Sequence, residues 1–314
     1  VEYAKSRKAF GQSISDFGSI QDKLASSAIL TYTLDSTCYS VIGKQTEAIN
    51  ELDKDDTEYY VKQGNTTEQY IAENSIVKVY GSEAAEELID HCFQIYGGYG
   101  FIEEYPMAQA YRDNRINKIW EGTNEINRML CGRAMITKAL SGEIGFKEYL
   151  EKVDAYCKNG LDSGYEGDFK TEVECVEAAK AVYALCLNES LSKHGQDIGT
   201  EQVIIENLAN ILIYAYVGDS TLSRVIQNKD LYVQKNQVVP ELCAKVYTAE
   251  QGIRVMEYAN KILNSIYDGE VPKELESKFA KLSKRLSLST DTIGLKKIIG
   301  EKVVEAGGYP VQSF

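Results

Sequence analysis

The sequence predicts an all-α fold in two parts: a four-helix-type bundle over residues 1–141, then a second helical bundle over residues 142–314. Three observations carry this. Only 4 Pro interrupt 314 residues, apolar side chains recur at helical spacing in the stretches between them, and no two segments alternate convincingly as a strand pair. A hydrophobic content of 44% and a charged content of 26% are those of a globular chain with ample core.

The elements follow in order. Glu2-Tyr-Ala-Lys-Ser-Arg7 reads as the middle of a helix and the first residue is Val, so the chain is expected to be cut from a longer protein. These residues run into Phe10-Gly11, where glycine supplies a turn. From Ile20, the residues Leu24, Ala28, Leu34, Cys38 and Val41 form the stripe of a long amphipathic helix. Asp53-Lys-Asp-Asp56 and Gly64-Asn-Thr-Thr67 read as polar connection, with Thr66 or Thr67 capping the next helix. That helix carries Tyr70, Ile71, Val77, Ala84, Leu88 and Ile89 up to a glycine turn at Gly97-Gly98, and Tyr105-Pro106 breaks any helix. Thr123 to Ala139 is a further amphipathic helix, with Ile126, Met129, Leu130 and Ala134 on its apolar side. Ser141-Gly142 and the tract Gly160–Gly167 put the domain boundary within 141–168. Beyond it, helical patterns span Val173 to Leu191, Gln202 to Val217, Val239 to Tyr267, and a region from Glu274. The stretch Ile204 to Ala215 is apolar on more than one side, as a central helix requires.

Charge and cysteine use narrow the function classes. A net charge of −13 argues against nucleic acid as a partner, because phosphate neutralisation needs a basic face. One local exception runs from Lys278 to Lys302, where Lys281, Lys284, Arg285, Lys296 and Lys297 outnumber the acids. It reads as a solvated helix face, or as a weak contact with anionic lipid headgroups. Seven scattered Cys without a C-x-x-C pair fit the reduced thiols of a cytoplasmic protein. No apolar run approaches the roughly 18 residues of a membrane span. His91 and His194 lack partners at metal-ligand spacing, so no metal is expected, and no Gly-x-Ser-x-Gly or Cys/His pairing supports a hydrolase.

The chemistry concentrates in two stretches, Gln94-Ile-Tyr-Gly-Gly-Tyr-Gly100 and Ile119-Trp-Glu-Gly-Thr-Asn-Glu-Ile126. Gln94 stands 27 residues before Glu121, a lone acid that opens onto the capping residues Thr123 and Asn124. Beside Trp120 and Gly122 the acid is expected to be desolvated, which suits a base that takes a carbon-bound proton. The plainer alternative is a helix-start Glu that favours the macrodipole. Gly97, Gly98 and Gly100 clear side chains where backbone must approach something flat or phosphorylated. Arg7 suits a pyrophosphate and Phe10 suits stacking on a planar ring, although taken alone a surface Arg and a core Phe are the default reading. Without a preceding strand, the glycine turn is not a dinucleotide fingerprint of the doubly wound kind.

Together, Arg7-Lys-Ala-Phe-Gly11, Phe17-Gly-Ser-Ile-Gln21, Gln94 through Pro106, Tyr111-Arg-Asp113 and Ile119 through Arg128 resemble the C-terminal part of an acyl-CoA dehydrogenase. They cover residues 1 to about 140 in the family's order. The remainder resembles, more loosely, the helical extension of very-long-chain acyl-CoA dehydrogenases, best over Cys175 to Asn228.

That resemblance implies an FAD-dependent reaction in which the α-proton of an acyl-CoA thioester goes to a base and the β-hydrogen leaves as hydride to the flavin. Glu121 falls on the position of the base and Gly122 where substrate is contacted. Arg7, Phe10, Gln94, Ile95, Tyr96, Gly97, Gly98, Thr123, Asn124 and Glu125 fall on FAD-binding positions, part of which serve the neighbouring subunit of a homodimer. Ala9 stands where a polar residue is common, and Glu125 where Gln or Asp is also seen. Electrons would pass to an electron-transfer flavoprotein. The family's N-terminal helical domain and central β-domain have no counterpart here, so this chain alone is expected to be inactive. An acyl-CoA oxidase, or a non-catalytic module for dimerisation, membrane or partner contact, are the alternatives.

Overall fold

Helical spacing becomes helix wherever the backbone meets no proline or left-handed glycine. The computed structural model, which describes residues 1–311, is built almost wholly that way. α1 (Glu2–Ser6) gives way to a two-residue strand, Lys8–Ala9 (β1), paired antiparallel with Gln12–Ser13 (β2) across Phe10 and Gly11. The turn stands where the sequence put it, but this strand pair corrects the expectation of none. Strands of two residues are too short to show alternation.

α2 (Gly18–Asn50) buries Leu24, Ala25, Ala28, Ile29, Tyr32 and Val41. Its inward hydroxyls Thr33, Ser36 and Thr37 donate to the carbonyls four residues back at 2.6–2.9 Å, which satisfies them inside the core. α3 (Tyr59–Gln69) corrects the connection expected at Gly64–Thr67, which lies within a helix. Thr66 and Thr67 donate to the carbonyls of Lys62 and Gln63 at 2.8 and 3.0 Å, so they serve the helix that contains them and cap nothing.

α4 (Ile71–Tyr96) stops at left-handed Gly97 (φ +58), and α5 (Gly98–Phe101) is a single turn. α6 (Pro106–Arg115) starts on its proline, where no backbone N–H is needed. α7 (Asn124–Ser141) ends at left-handed Gly142. Its orientation reverses an expectation: Ile126 and Leu130 are 52% and 41% exposed, while Asn124 and Asn127 are buried. The reason is polar, since the two amides meet hydrogen-bonding partners on α4 and on the turn that precedes α7.

The rest comprises α8 (Phe146–Asn159), α9 (Lys170–His194), α10 (Gln202–Gln227), α11 (Lys229–Gln234), α12 (Val239–Ile266), α13 (Lys273–Leu286) and α14 (Thr292–Ala306). Two apolar cores result. One is built largely from α8, α9, α10, α12 and α13, around Val182, Leu187, Ile205 and Ile262. The other joins Leu24, Tyr32 and Ile76 to Val217, Val246 and Ile299, and so draws on both sides of the glycine tract at 141–168. α10 gives Leu208 and Ile211 to the first core and Ile213 and Val217 to the second, which explains why its sequence is apolar on more than one side. α7 crosses it closely: a Cβ on Gly132 would lie 2.4 Å from the Ile205 side chain.

The basic stretch near the end is largely engaged. Lys278 pairs with Asp154, Arg285 with Glu174 and Lys296 with Glu250, each at 2.8 Å. Among the described residues, no helix is long and apolar enough to cross a membrane.

Candidate active site

A left-handed residue other than glycine costs about 1–2 kcal/mol, so a fold that keeps one must hold it in place. Glu121 is such a residue (φ +53), and Gly122 follows it at φ +79. The pair leads into α7, which Thr123 caps by accepting the Ile126 N–H at 3.3 Å. Glu121 therefore stands at a helix mouth.

The turn is gripped from beneath. Asn127 Nδ2 donates to the carbonyls of Gly122 (2.9 Å) and Thr123 (3.2 Å), and lies 3.4 Å from that of Glu121. Lys78 of α4 donates Nζ to the same Gly122 carbonyl at 2.6 Å and to Asn124 Oδ1 at 2.7 Å. Asn124 passes its own N–H groups to Ser82 Oγ and Glu83 Oε1, at 3.0 and 3.1 Å. Arg128 forks onto Glu83 with two contacts of 2.9 Å, and its Nε reaches Asn210 Oδ1 on α10 at 2.6 Å. Such charge-assisted, bidentate contacts fix geometry as well as supply energy. Burial pulls the Lys78 ammonium down from its ordinary range, against the opposing pull of Glu125 and Glu83. The Glu125 carboxyl is also held down, first by its own backbone N–H and then by the Thr123 hydroxyl.

Above the turn the surroundings are open. Glu121 is exposed and Trp120 is 56% exposed, which corrects the expectation of a desolvated acid. Ile119 and Trp120 turn outward, so no apolar wall from the described residues closes over the carboxyl. It faces a cleft of about 720 Å³ whose walls include Tyr60, Thr67, Ile71, Lys78 and Leu130.

A second cleft, of about 560 Å³, lies at the far end of α4, lined by Arg7, Ile95, Tyr96, Gly97 and Gly98 among others. The 18 residue steps from Lys78 to Tyr96 amount to about 27 Å of helix. Tyr96 stacks on Tyr3 at 4.1 Å, and the Arg7 guanidinium sits 5.5 Å from the Tyr99 ring centroid. Burial pushes the Tyr3 phenol up, with Arg7 opposing. A Cβ on Gly97 or Gly98 would meet nothing within 4 Å, so this backbone edge is open to a ligand. Gln94 is exposed on the last turn of α4, its carbonyl accepting the Gly97 N–H at 3.1 Å. Phe10 stays clear of both clefts: it is 96% exposed at the hairpin tip, edge-on to Phe17 at 6.2 Å.

The fold thus groups Arg7 with Ile95 to Gly98, groups Glu121 with Gly122 to Glu125, and keeps the two groups apart. Sequence reasoning missed Lys78, Ser82, Glu83 and the role of Asn127. Asn127 lay inside the Ile119–Arg128 motif and was readable as a donor near the turn. Lys78 carried no local signal. Among the described residues, no group of three or more His, Cys, Asp or Glu could hold a metal ion.

Comparison with known proteins gives consistent matches. Residues 1–136 match a family described as acyl-CoA dehydrogenase, C-terminal domain, and residues 178–279 match a second family of the same description. A Bacillus subtilis (strain 168) protein named "Probable acyl-CoA dehydrogenase" is 28% identical over 310 residues, covering 98% of this chain and 52% of that relative. The mitochondrial very long-chain specific acyl-CoA dehydrogenase of Bos taurus is 31% identical over 243 residues, covering 71% of this chain and 34% of the relative. A crystal structure of an acyl-CoA dehydrogenase from Bacillus anthracis, complexed with FAD, superposes with a TM-score of 0.89 at 29% identity over 99% of this chain and 52% of its own. The chain therefore spans about half, or less, of the length of these relatives.

Proposed function

The chain belongs to the acyl-CoA dehydrogenase family, and from that premise we propose that it is the base-bearing C-terminal region of an FAD-dependent acyl-CoA dehydrogenase of the very-long-chain type. The whole protein introduces an α,β double bond into long-chain fatty acyl-CoA. One observation carries the reading: an exposed carboxylate, Glu121, on a left-handed backbone held by the half-buried Lys78 and the buried Asn127 at the mouth of α7.

In this reading the Glu121 carboxylate takes the α-proton of the thioester. Its own backbone N–H meets the thioester carbonyl and stabilises enolate charge; one such donor supplies about 3 kcal/mol in other enzymes. Gly122 leaves the substrate room to approach. A general base placed this way contributes on the order of 10²–10⁴ in rate. The openness above Glu121 fits the same reading, because the family's remaining domains supply the cover.

The residues present fit FAD. Arg7 offers a cation to a diphosphate, Gly97 and Gly98 an open backbone edge, and Phe10 an exposed ring for stacking. Gln94, Ile95, Tyr96, Thr123, Asn124 and Glu125 complete the set. When bound, FAD supplies the acceptor for the β-hydrogen. The separation of the two clefts supports a homodimer in which part of this set serves the neighbouring subunit. An electron-transfer flavoprotein takes the electrons onward. The seven free thiols support a cytoplasmic protein, with at most weak membrane contact through the basic stretch.

Anaerobic mixing of the whole FAD-loaded protein with palmitoyl-CoA tests this. Bleaching of the flavin band near about 450 nm is expected, the band being that of the isoalloxazine that the cofactor contributes. Turnover should depend on an electron-transfer flavoprotein. Peroxide formation in air without that acceptor would make the protein an acyl-CoA oxidase. No bleaching at any chain length would leave a non-catalytic interaction module.

A further inference from the structure

We infer that Lys78 and Asn127 are positioning residues for Glu121: they clamp the left-handed Glu121–Gly122 segment from within and so fix the direction in which the carboxylate leaves the turn. The inference rests on Glu121 being the base proposed above. Glu121 at φ +53 is in a conformation that a free chain leaves readily, and the glycine after it adds further freedom. Left alone, this segment would point its acid in many directions.

Two side chains remove that freedom. The Gly122 carbonyl oxygen has two lone pairs and receives two donors, Lys78 Nζ at 2.6 Å and Asn127 Nδ2 at 2.9 Å. Rotating the Gly122–Thr123 peptide outward would break both contacts and leave an ammonium half-buried without them. Asn127 also reaches the Thr123 carbonyl at 3.2 Å and lies 3.4 Å from that of Glu121, so the carbonyls on both sides of Gly122 face inward. With the carbonyls inside, the Glu121 side chain is left outside, facing the open cleft.

Lys78 is an unusual instrument for this. Among the described residues it forms no ion pair, the common use of a surface lysine. Its donors go instead to the turn carbonyl and to Asn124, whose amide is in turn fixed by Ser82 and Glu83. The clamp is therefore anchored in α4, a helix distant in sequence from the turn it holds. A misplacement of about 1 Å in a reacting group costs on the order of 100-fold in rate, which sets the scale of the effect.

The test uses the whole FAD-loaded protein and the rate of anaerobic flavin reduction by palmitoyl-CoA. Lys78→Met keeps the length of the stem and removes the donors; Lys78→Arg restores donors. We expect Lys78→Met to slow reduction at saturating substrate by about 10–100-fold per bound FAD, a larger change than any in the half-saturating concentration. Lys78→Arg should recover most of the rate. On a Glu121→Gln background, Lys78→Met should add nothing, because it acts through the missing carboxylate. Wild-type rates in folded, FAD-loaded Lys78→Met would overturn the inference, as would an equal loss on both backgrounds. A Glu121→Gln protein with wild-type rates overturns it too, and that single variant identifies the base assignment as the fault. Should Lys78→Met fail to load FAD, Asn127→Asp, which keeps shape and loses the donor, is read against the same outcomes.

Discussion

Two turns of this molecule use the same backbone device for different ends. Phe10–Gly11 (φ +52, +87) and Glu121–Gly122 (φ +53, +79) each place a side-chain-bearing residue and then a glycine in the left-handed region. The first closes a hairpin whose strands are two residues long, with both central residues at the positive φ of a type I′ turn. Its short ladder and the Ser13 hydroxyl, which donates to the nearby carbonyls of Ala4 and Lys5 at 3.0 and 2.6 Å, hold it, and Phe10 projects into solvent. The second has no ladder. Lys78, Asn127 and, behind them, Ser82, Glu83, Arg128 and Asn210 hold it instead. Local pairing suffices to make a left-handed turn. Aiming a particular side chain from one calls on residues from other helices.

Substitutions at the two turns should differ in cost. The largest change expected is from Arg128→Met, which strips the fork from half-buried Glu83 and should cost about 3 kcal/mol in urea unfolding of the chain. No comparable substitution exists at the hairpin, so a negligible loss would erase the contrast. Gly122→Ala comes next. The new Cβ would sit 3.0 Å from Asn127 Nδ2 on a backbone already strained, for a loss of roughly 2 kcal/mol. Gly11→Ala carries the same strain with nothing within 4 Å of the new methyl, so its loss should be nearer about 1 kcal/mol. Equal losses at the two glycines would mean that the clamp does not tighten the second turn. The smallest effect belongs to Phe10→Asn, which suits a left-handed position better and should stabilise the chain by up to about 0.5 kcal/mol. In the whole protein the same substitution should lower FAD content, measured by absorbance after gel filtration. Stabilisation without loss of FAD would remove Phe10 from the cofactor set.

The sequence made one side of this comparison easier to read than the other. The turn at Gly11, the cap at Thr123 and the long stripe of α2 were legible because each is a local signal, a spacing or a residue type at one position. α3 was not, because Gly64, Thr66 and Thr67 have weak helical preference and their hydroxyls find partners only once the helix exists. The facing of α7 was misread for a related reason. Hydrophobic periodicity favours Ile126 and Leu130 for the interior, whereas Asn124 and Asn127 are drawn in by donors and acceptors that no spacing rule sees. Lys78 was illegible for the plainest reason: it lies 44 residues before the carbonyl it holds, and in sequence it looks like any lysine on a helix.

The role of Glu121 is tested by mixing wild-type and Glu121→Gln whole protein, both FAD-loaded, anaerobically with palmitoyl-CoA. Glutamine keeps the size and the backbone of the turn but cannot take the α-proton. A catalytic base at Glu121 requires fast bleaching of the wild-type flavin and a rate lower by about 10²–10⁴ in the variant, with the same FAD content and the same unfolding midpoint. Bleaching of the variant at the wild-type rate would contradict it.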